Sequence, residues 1–141
     1  LAAGSYFVRV ENNDGGAVRT ATAILTVSTG PSWTTSSGSL GSVGAGDAVS
    51  FTVAATSDST ISFSEVTSGG NVLTGTSDTP ATTMSLSLNS STGAITGTAP
   101  SATATTTYTF TLRATDAESQ TADRSFSITV SVGIGNGGQF N

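Results

Sequence analysis

The stretch "TTTYTFTLRATDAESQTADRSFSITV", Thr105 to Val130, limits what this chain can become more than any other part of it. Tyr108, Phe110, Leu112 and Ala114 alternate with Thr107, Thr109, Thr111 and Arg113. Further on, Ala122, Phe126, Ile128, Val130 and Val132 share a face with Arg124, while Asp123, Ser125, Ser127, Thr129 and Ser131 take the other. A period of two is the pleat of a strand with one face in a core and one in water. Between the two runs, Asp116 to Ser119 ("DAES") reads as the turn of a hairpin. Helical 3.6-residue spacing is not sustained anywhere, so the chain reads as all-β.

The same alternation recurs upstream. Val49, Phe51, Val53 and Ala55 alternate with Ser50, Thr52 and Ala54, and Ile61 and Phe63 start a further strand after a polar turn at Ser57 to Ser59. Met84, Leu86 and Leu88 run into "NSSTG", where Asn89 and Gly93 tolerate the positive φ of a tight turn. "AIT" returns as a short strand, and Ala99-Pro100 stops it. Counted from Val43, about seven short strands with turn signals roughly every ten residues predict a two-sheet sandwich, with a barrel as the alternative. Residues 66–81 are long, polar and Gly-rich, and are expected to form a surface loop with a short edge strand at Asn71 to Thr74.

The N-terminal part reads separately. "YFVRV" and "AVRTATAILTV" flank "ENNDGG" as a second hairpin that ends near Val27. Two strands alone are marginal in water, so this pair is expected to find partners elsewhere or to pack on the neighbouring sandwich. The expected organisation is a hairpin from a second module over 1–29, a linker over 30–42, a sandwich over 43–132 and a Gly-rich tail over 133–141. Trp33 is expected to plug the junction or the base of the sandwich. Phe140 of the tail either frays or anchors in a neighbouring subunit.

Composition removes most chemistry. About a third of the residues are serine or threonine, a β-branched, weakly charged mixture that suits half-buried strands better than a disordered chain. There is no cysteine and no histidine, which excludes disulfides, thiolate or imidazole metal ligands and a Ser-His pair. The four basic residues are Arg9, Arg19, Arg113 and Arg124, so Schiff-base lysines, P-loop lysines and Lys–Asn cross-links are excluded too. A net charge of −5 opposes nucleic-acid binding, and no apolar run has the length of a membrane span. We therefore expect no enzyme, no cofactor, no nucleic-acid partner and no membrane span.

"GDAVSFTVAAT", "LSLNSSTGAITGTAP" and "TTTYTFTLRATDAESQTADRSFSITV" resemble the immunoglobulin-like, cadherin-like repeats of the dystroglycan type in bacterial and phage surface proteins. The resemblance covers about Trp33 to Val132 and implies an immunoglobulin-like β-sandwich. "AGSYFVRVENNDGGAVRTATAILTVS" resembles the last two strands of an IPT/TIG domain, another immunoglobulin-like module. This tandem is similar to virion structural proteins of marine tailed phages. What it implies is a structural or adhesive role in capsid decoration, a fibre or a tail appendage, located on a virion or a cell surface. The implied partners are other virion or surface proteins, with this chain as a homo-oligomer or assembly component. The alternative is a bacterial surface adhesin or a filament or pilus subunit that binds a cell-surface glycan or receptor.

Related repeats carry an acidic turn after the strand that matches Ala48 to Thr56. Here the place reads "SDST", with Asp58 as its only acid, so the resemblance carries no calcium site onto this chain. Calcium takes six to eight oxygen ligands; the candidates are Asp116, Glu118 and Asp58, with Asp123 beside the first two at the last hairpin and Asp47, like Asp58, near a strand end, and the expectation is no bound metal. The bland reading of Asp116 is a solvated turn residue bonding its own backbone. The expected contact residues are Trp33, Asn71, Val72, Leu73 and Phe140. "NSS" at Asn89 fits a glycosylation sequon but lies in a tight turn, and is read as the turn.

Overall fold

The structure, a computed structural model of the chain, describes residues 2, 4–11, 20–68, 71–75 and 83–132. Its regular elements are strands. β10 (Thr106–Thr115) and β11 (Thr121–Ser131) form the hairpin that their alternation calls for, antiparallel from Thr106 opposite Val130 to Thr115 opposite Thr121. β7 (Ser62–Glu65) pairs with the outer edge of β10. β4 (Gly38–Gly44) runs parallel to β11, from Gly38 against Phe126 to Gly44 against Ser131, with a register shift at Ser127/Ile128. The four strands lie in the order β4-β11-β10-β7.

The facing layer is built from β5 (Ala48–Thr52), β9 (Ala94–Thr98) and β8 (Ser87–Leu88), in the order β5-β9-β8. After Thr52 the chain leaves this sheet, and β6 (Ala55–Thr56) pairs instead with β3 (Ser32–Trp33). Phe126, Ile128, Val130 and Leu112 of the first sheet are fully buried, as is Ile95 of the second, with Val49 and Leu86 nearly so. Each such side chain contributes about 1.5–3 kcal/mol by leaving water. The result is an immunoglobulin-like β-sandwich with its core between the two layers.

The wet face explains the hydroxyl-rich composition. Thr107 and Thr129 share a hydrogen bond of 3.0 Å, and Thr111 and Ser125 another of 3.0 Å, so facing hydroxyls tie the two long strands together. Arg124 lies on the core face, as its place in the alternation requires. It is half-buried and donates from Nη1 to the Thr35 carbonyl at 2.7 Å, lying its stem along the sheet while the head finds an acceptor.

The hairpin β8–β9 also forms as expected, but by a different division of labour. Gly93 has the positive φ, 70°. Asn89 does not. It acts through its side chain, whose Oδ1 accepts from the backbone N–H groups of Ser91 and Thr92 at 2.9 and 3.0 Å. Two other expectations are corrected. The span 30–42, read as a linker, carries β3, which pairs with β6, and most of β4, which belongs to the four-stranded sheet. Residues 72–74, read as part of an edge strand, form a turn. The Glu65 carboxylate holds it, accepting from the N–H groups of Leu73 (2.7 Å) and Thr74 (2.9 Å) and from the Thr74 hydroxyl (2.7 Å).

β1 (Gly4–Glu11) and β2 (Thr20–Val27) make a separate two-stranded ribbon, in register from Gly4 opposite Val27 to Glu11 opposite Thr20. The turn residues of "ENNDGG" from Asn12 onward lie outside the described residues, as does the tail with Phe140.

Candidate functional site

The acids considered as candidate cation ligands divide into two groups. Asp116 and Glu118 lie in the β10–β11 turn, where Ser119 adopts a left-handed φ of 68° and its N–H bonds the Asp116 carbonyl at 3.2 Å. Asp58 lies in the connection between β6 and β7. The fold brings these two loops together, and one carboxylate oxygen from each of Asp58, Asp116 and Glu118 lies within 4.8 Å of those of the other two. Asp123 is elsewhere: it holds Arg113 through a two-pronged ion pair, Nε to Oδ1 at 2.7 Å and Nη2 to Oδ2 at 2.8 Å. Asp47 is occupied with the turn after β4, its N–H bonding Gly44 O at 3.0 Å and its carbonyl accepting from Ala99 at 2.8 Å.

Each acid of the cluster is held by its own loop. Asp116 is only 5% exposed. Its Oδ1 accepts from the backbone N–H groups of Gln120 (2.7 Å) and Glu118 (3.1 Å), the self-bonding turn expected of it, although in a buried and not a solvated place. Its Oδ2 is buried and accepts no hydrogen bond. Ser59 links the loops, donating its hydroxyl to Glu118 and accepting from the Ala117 N–H at 3.1 Å. Asp58 in turn grips the segment just after the ribbon. Its Oδ2 accepts from the Thr29 N–H at 2.9 Å and its Oδ1 from the Ser28 hydroxyl at 3.2 Å, while the Ser57 hydroxyl donates to the Thr29 carbonyl at 2.9 Å.

Hydrogen bonding sets two titrations. The Thr29 N–H, with help from the Ser28 and Ser57 hydroxyls, holds the Asp58 carboxyl below its ordinary value. The Arg113 guanidinium does the same for Asp123. A depressed carboxylate pKa contributes stability that is complete above the unfolded value, near 3.9, and is lost as the pH falls through the folded value. We expect the contribution of these two groups to the melting temperature to stay level from pH 7 to about 5 and to fall below about pH 4. Asp123→Asn should cut part of that acid-side fall while costing less than about 1 kcal/mol at pH 7, since the pair is exposed. Thermal unfolding followed by circular dichroism at pH 7, 4 and 3 checks both.

The expected contact residues are scattered. Trp33 is 8% exposed and stands in the core, its ring 5.3 Å from that of Phe126 and 5.6 Å from that of Phe63, with Nε1–H donating to the Ala122 carbonyl at 3.0 Å. Leu73 is fully buried and Val72 packs against the core, which leaves Asn71 as the exposed member of the trio. Burial of Trp33 and Leu73 corrects their reading as contacts, because Leu73 offers a partner no surface and Trp33 very little. The sequence reading missed Ser59 and Glu65, which organise their loops through hydroxyl and carboxylate. Neither belongs to a motif that would have marked it.

An open groove of about 490 Å³ beside the cluster is lined by Thr52, Val53, Ile61, Phe63, Ser91 and Thr92, among others. Its walls offer hydroxyls and apolar atoms, and none of its lining residues titrates. Exposed apolar mass is found on the ribbon instead, where Ile24 is 64% and Leu25 50% exposed.

Among solved structures, a chimeric titin Z1Z2-Z1Z2 tandem carrying a GRGDS peptide from fibronectin is 22% identical over 92% of this chain, with a TM-score of 0.49. The immunoglobulin domains 1–4 of Sidekick-1 are 20% identical, also over 92% of this chain, with a TM-score of 0.41. The chain spans 65% of the first and 34% of the second. No curated protein matches it. A family model described as "Putative Ig domain" (He_PIG) matches residues 31–131, from just before β3 to the end of β11. That match takes in all strands of the sandwich and well over half of the sequence, and the chain belongs to this immunoglobulin-domain family.

Proposed function

We propose that this chain is a non-enzymatic structural protein of a virion, an immunoglobulin-like module that works by contact and display in capsid decoration, a fibre or a tail appendage. The observation that supports this reading is the ribbon. Among the described residues, β1 and β2 pair with each other and with no third strand. Ile24 and Leu25 are successive residues of β2, and successive strand residues point to opposite faces. Both faces of the ribbon therefore present a large apolar side chain to water. A ribbon of this kind is marginal alone and is suited to completing a sheet or a core supplied by a neighbouring protein.

Multi-angle light scattering on the purified full chain tests this. The expected result is a species heavier than the 13.8 kDa monomer, or a saturable complex with a companion virion protein. The double variant Ile24→Asp, Leu25→Asp should dissociate it and leave the β-sheet signal in place. A monomer at every concentration that binds no companion would count against the reading. The glycan-binding alternative drew on Trp33, which the core now accounts for, so it retains only residues 66–81 in its support.

A further inference from the structure

We infer that the free edge of β2 pairs with β2 of a second copy of this chain, antiparallel about a two-fold axis at Ile24, to give a four-stranded sheet in the order β1-β2-β2-β1. This names the partner of the ribbon already read as a contact element, and it rests on that reading. β2 pairs with β1 on one side and, among the described residues, with no strand on the other. Proteins keep such an edge single with charges, prolines or bulges. β2 ("TATAILTV") has no charge, no proline and no glycine, whereas β1 carries Arg9 and Glu11. The undefended edge is therefore that of β2, where residues 23–26 are exposed, Ile24 and Leu25 among them. The other charge-free edge strands, β4, β5 and β8, are shorter and carry no exposed large apolar side chain. Asp58 takes hold of the chain at Ser28 and Thr29, immediately after β2 ends, so the strand is clear of its own sandwich over its whole pairing length.

Self-complementarity selects the register. The backbone groups of a strand point to alternate sides, so two identical antiparallel strands meet only with one residue opposite its own copy. A two-fold at Ile24 sets Ile24 against its counterpart and Leu25 against Ala23 of the second copy, with pairing from Ala21 to Val27. Each large apolar side chain then has an apolar neighbour across the joint. A two-fold at Leu25 would set Ile24 against Thr26 and lose that match. In the ribbon itself Phe7 is the register partner of Ile24 and Tyr6 of Leu25, so apolar positions continue outward from the joint onto β1. The net charge of −5 does not oppose the contact. Arg9 and Glu11 lie on the outer strands, so those of the two copies stand three strand spacings apart, about 14 Å, beyond the roughly 8 Å reach of exposed charges at physiological salt. Two strands are marginal in water while three or more with an apolar face can hold, so pairing turns two weak ribbons into one stable sheet.

Sedimentation equilibrium of the full chain should show a dimer of twice the 13.8 kDa chain mass. Ile24→Lys and Ile24→Glu, each measured alone, set like charges face to face on the axis and should weaken the dimer at least about tenfold. Mixed in equal amounts, the two variants set opposite charges face to face and should recover most of the lost affinity. The same pair of substitutions at Thr26, whose copies lie four residues apart along the joint, about 13 Å, should leave association within about threefold of the original chain in every combination. All these positions are exposed, and circular dichroism verifies that each variant keeps its sheet signal. A chain that stays monomeric up to roughly 1 mM yet binds a companion protein through Ile24 and Leu25 would overturn the self-pairing and leave the display reading intact. A monomer that binds nothing would overturn both. A dimer in which the mixed Ile24 variants recover nothing, or in which the Thr26 variants behave as they do, would overturn the two-fold joint.

Discussion

Trp33→Ala is expected to lower stability by about 3–5 kcal/mol, enough to unfold a large fraction of a marginal domain at room temperature. The substitution removes the largest core side chain, opens a void between Phe63 and Phe126, and leaves the Ala122 carbonyl without its indole donor. The contact with Phe126 is edge-on, which adds to the loss beyond simple area. Trp33→Phe should recover most of the packing but not the hydrogen bond, and cost about 1–2 kcal/mol. Trp33 is the only tryptophan, so the unfolding has to be followed by circular dichroism in urea instead of indole fluorescence. A cost below about 1 kcal/mol for the alanine variant would mean that the ring is not the keystone its position implies.

Gly93→Ala should cost about 2–4 kcal/mol for a different reason. The residue sits at a φ of 70°, where any L side chain is strained. In addition, a Cβ there would lie 2.2 Å from the Val53 carbonyl oxygen, a backbone atom that cannot swing aside. The same two residues are joined by the Val53 N–H donating to the Gly93 carbonyl at 3.0 Å, so relief of the clash would stretch that bond. Gly93→Asn separates the two causes. Asparagine tolerates the left-handed region but keeps the Cβ, so it should remain destabilised if the close approach dominates. Urea unfolding of both variants decides this, and an asparagine variant as stable as wild type would assign the whole cost to φ.

Both residues show what could be read from the sequence. Gly93 was legible because a glycine after "NSST" between alternating runs has one common use. The strands from Thr106 to Ser131 were legible because their side chains record the environment on each face. β4 was not, since "GSLGSVG" has almost no side chain with which to record anything. It is a strand because β11 pairs with it, and the close fit of Gly41 under Phe51 is visible only once the layers are stacked. Trp33 looked like a linker residue for the same reason, as its neighbours Pro31 and Ser32 carry no alternation. The acid cluster was half visible. Asp116 and Glu118 share one turn, but Asp58 joins them through the meeting of two loops 58 residues apart, which local pattern cannot report. That Asp116 would be buried was hidden as well, because an acid in a turn is ordinarily wet.

The parallel pairing of β4 with β11 has a consequence for how the molecule comes into being. β11 lies inside its sheet, between β10 and β4, and Gly38 waits for Phe126, 88 positions later, to be made. Closing so long a loop is entropically expensive, and contacts of this separation make for slow folding. Until Ser131 has left the ribosome, the edges of β4 and β10 have no shared neighbour and Trp33 lacks its acceptor on Ala122. Among the described strands of the four-stranded sheet, β11 is made last, and it is the one that joins β4 to β10 and β7. A nascent or truncated chain without it exposes two open edges of the kind that aggregate.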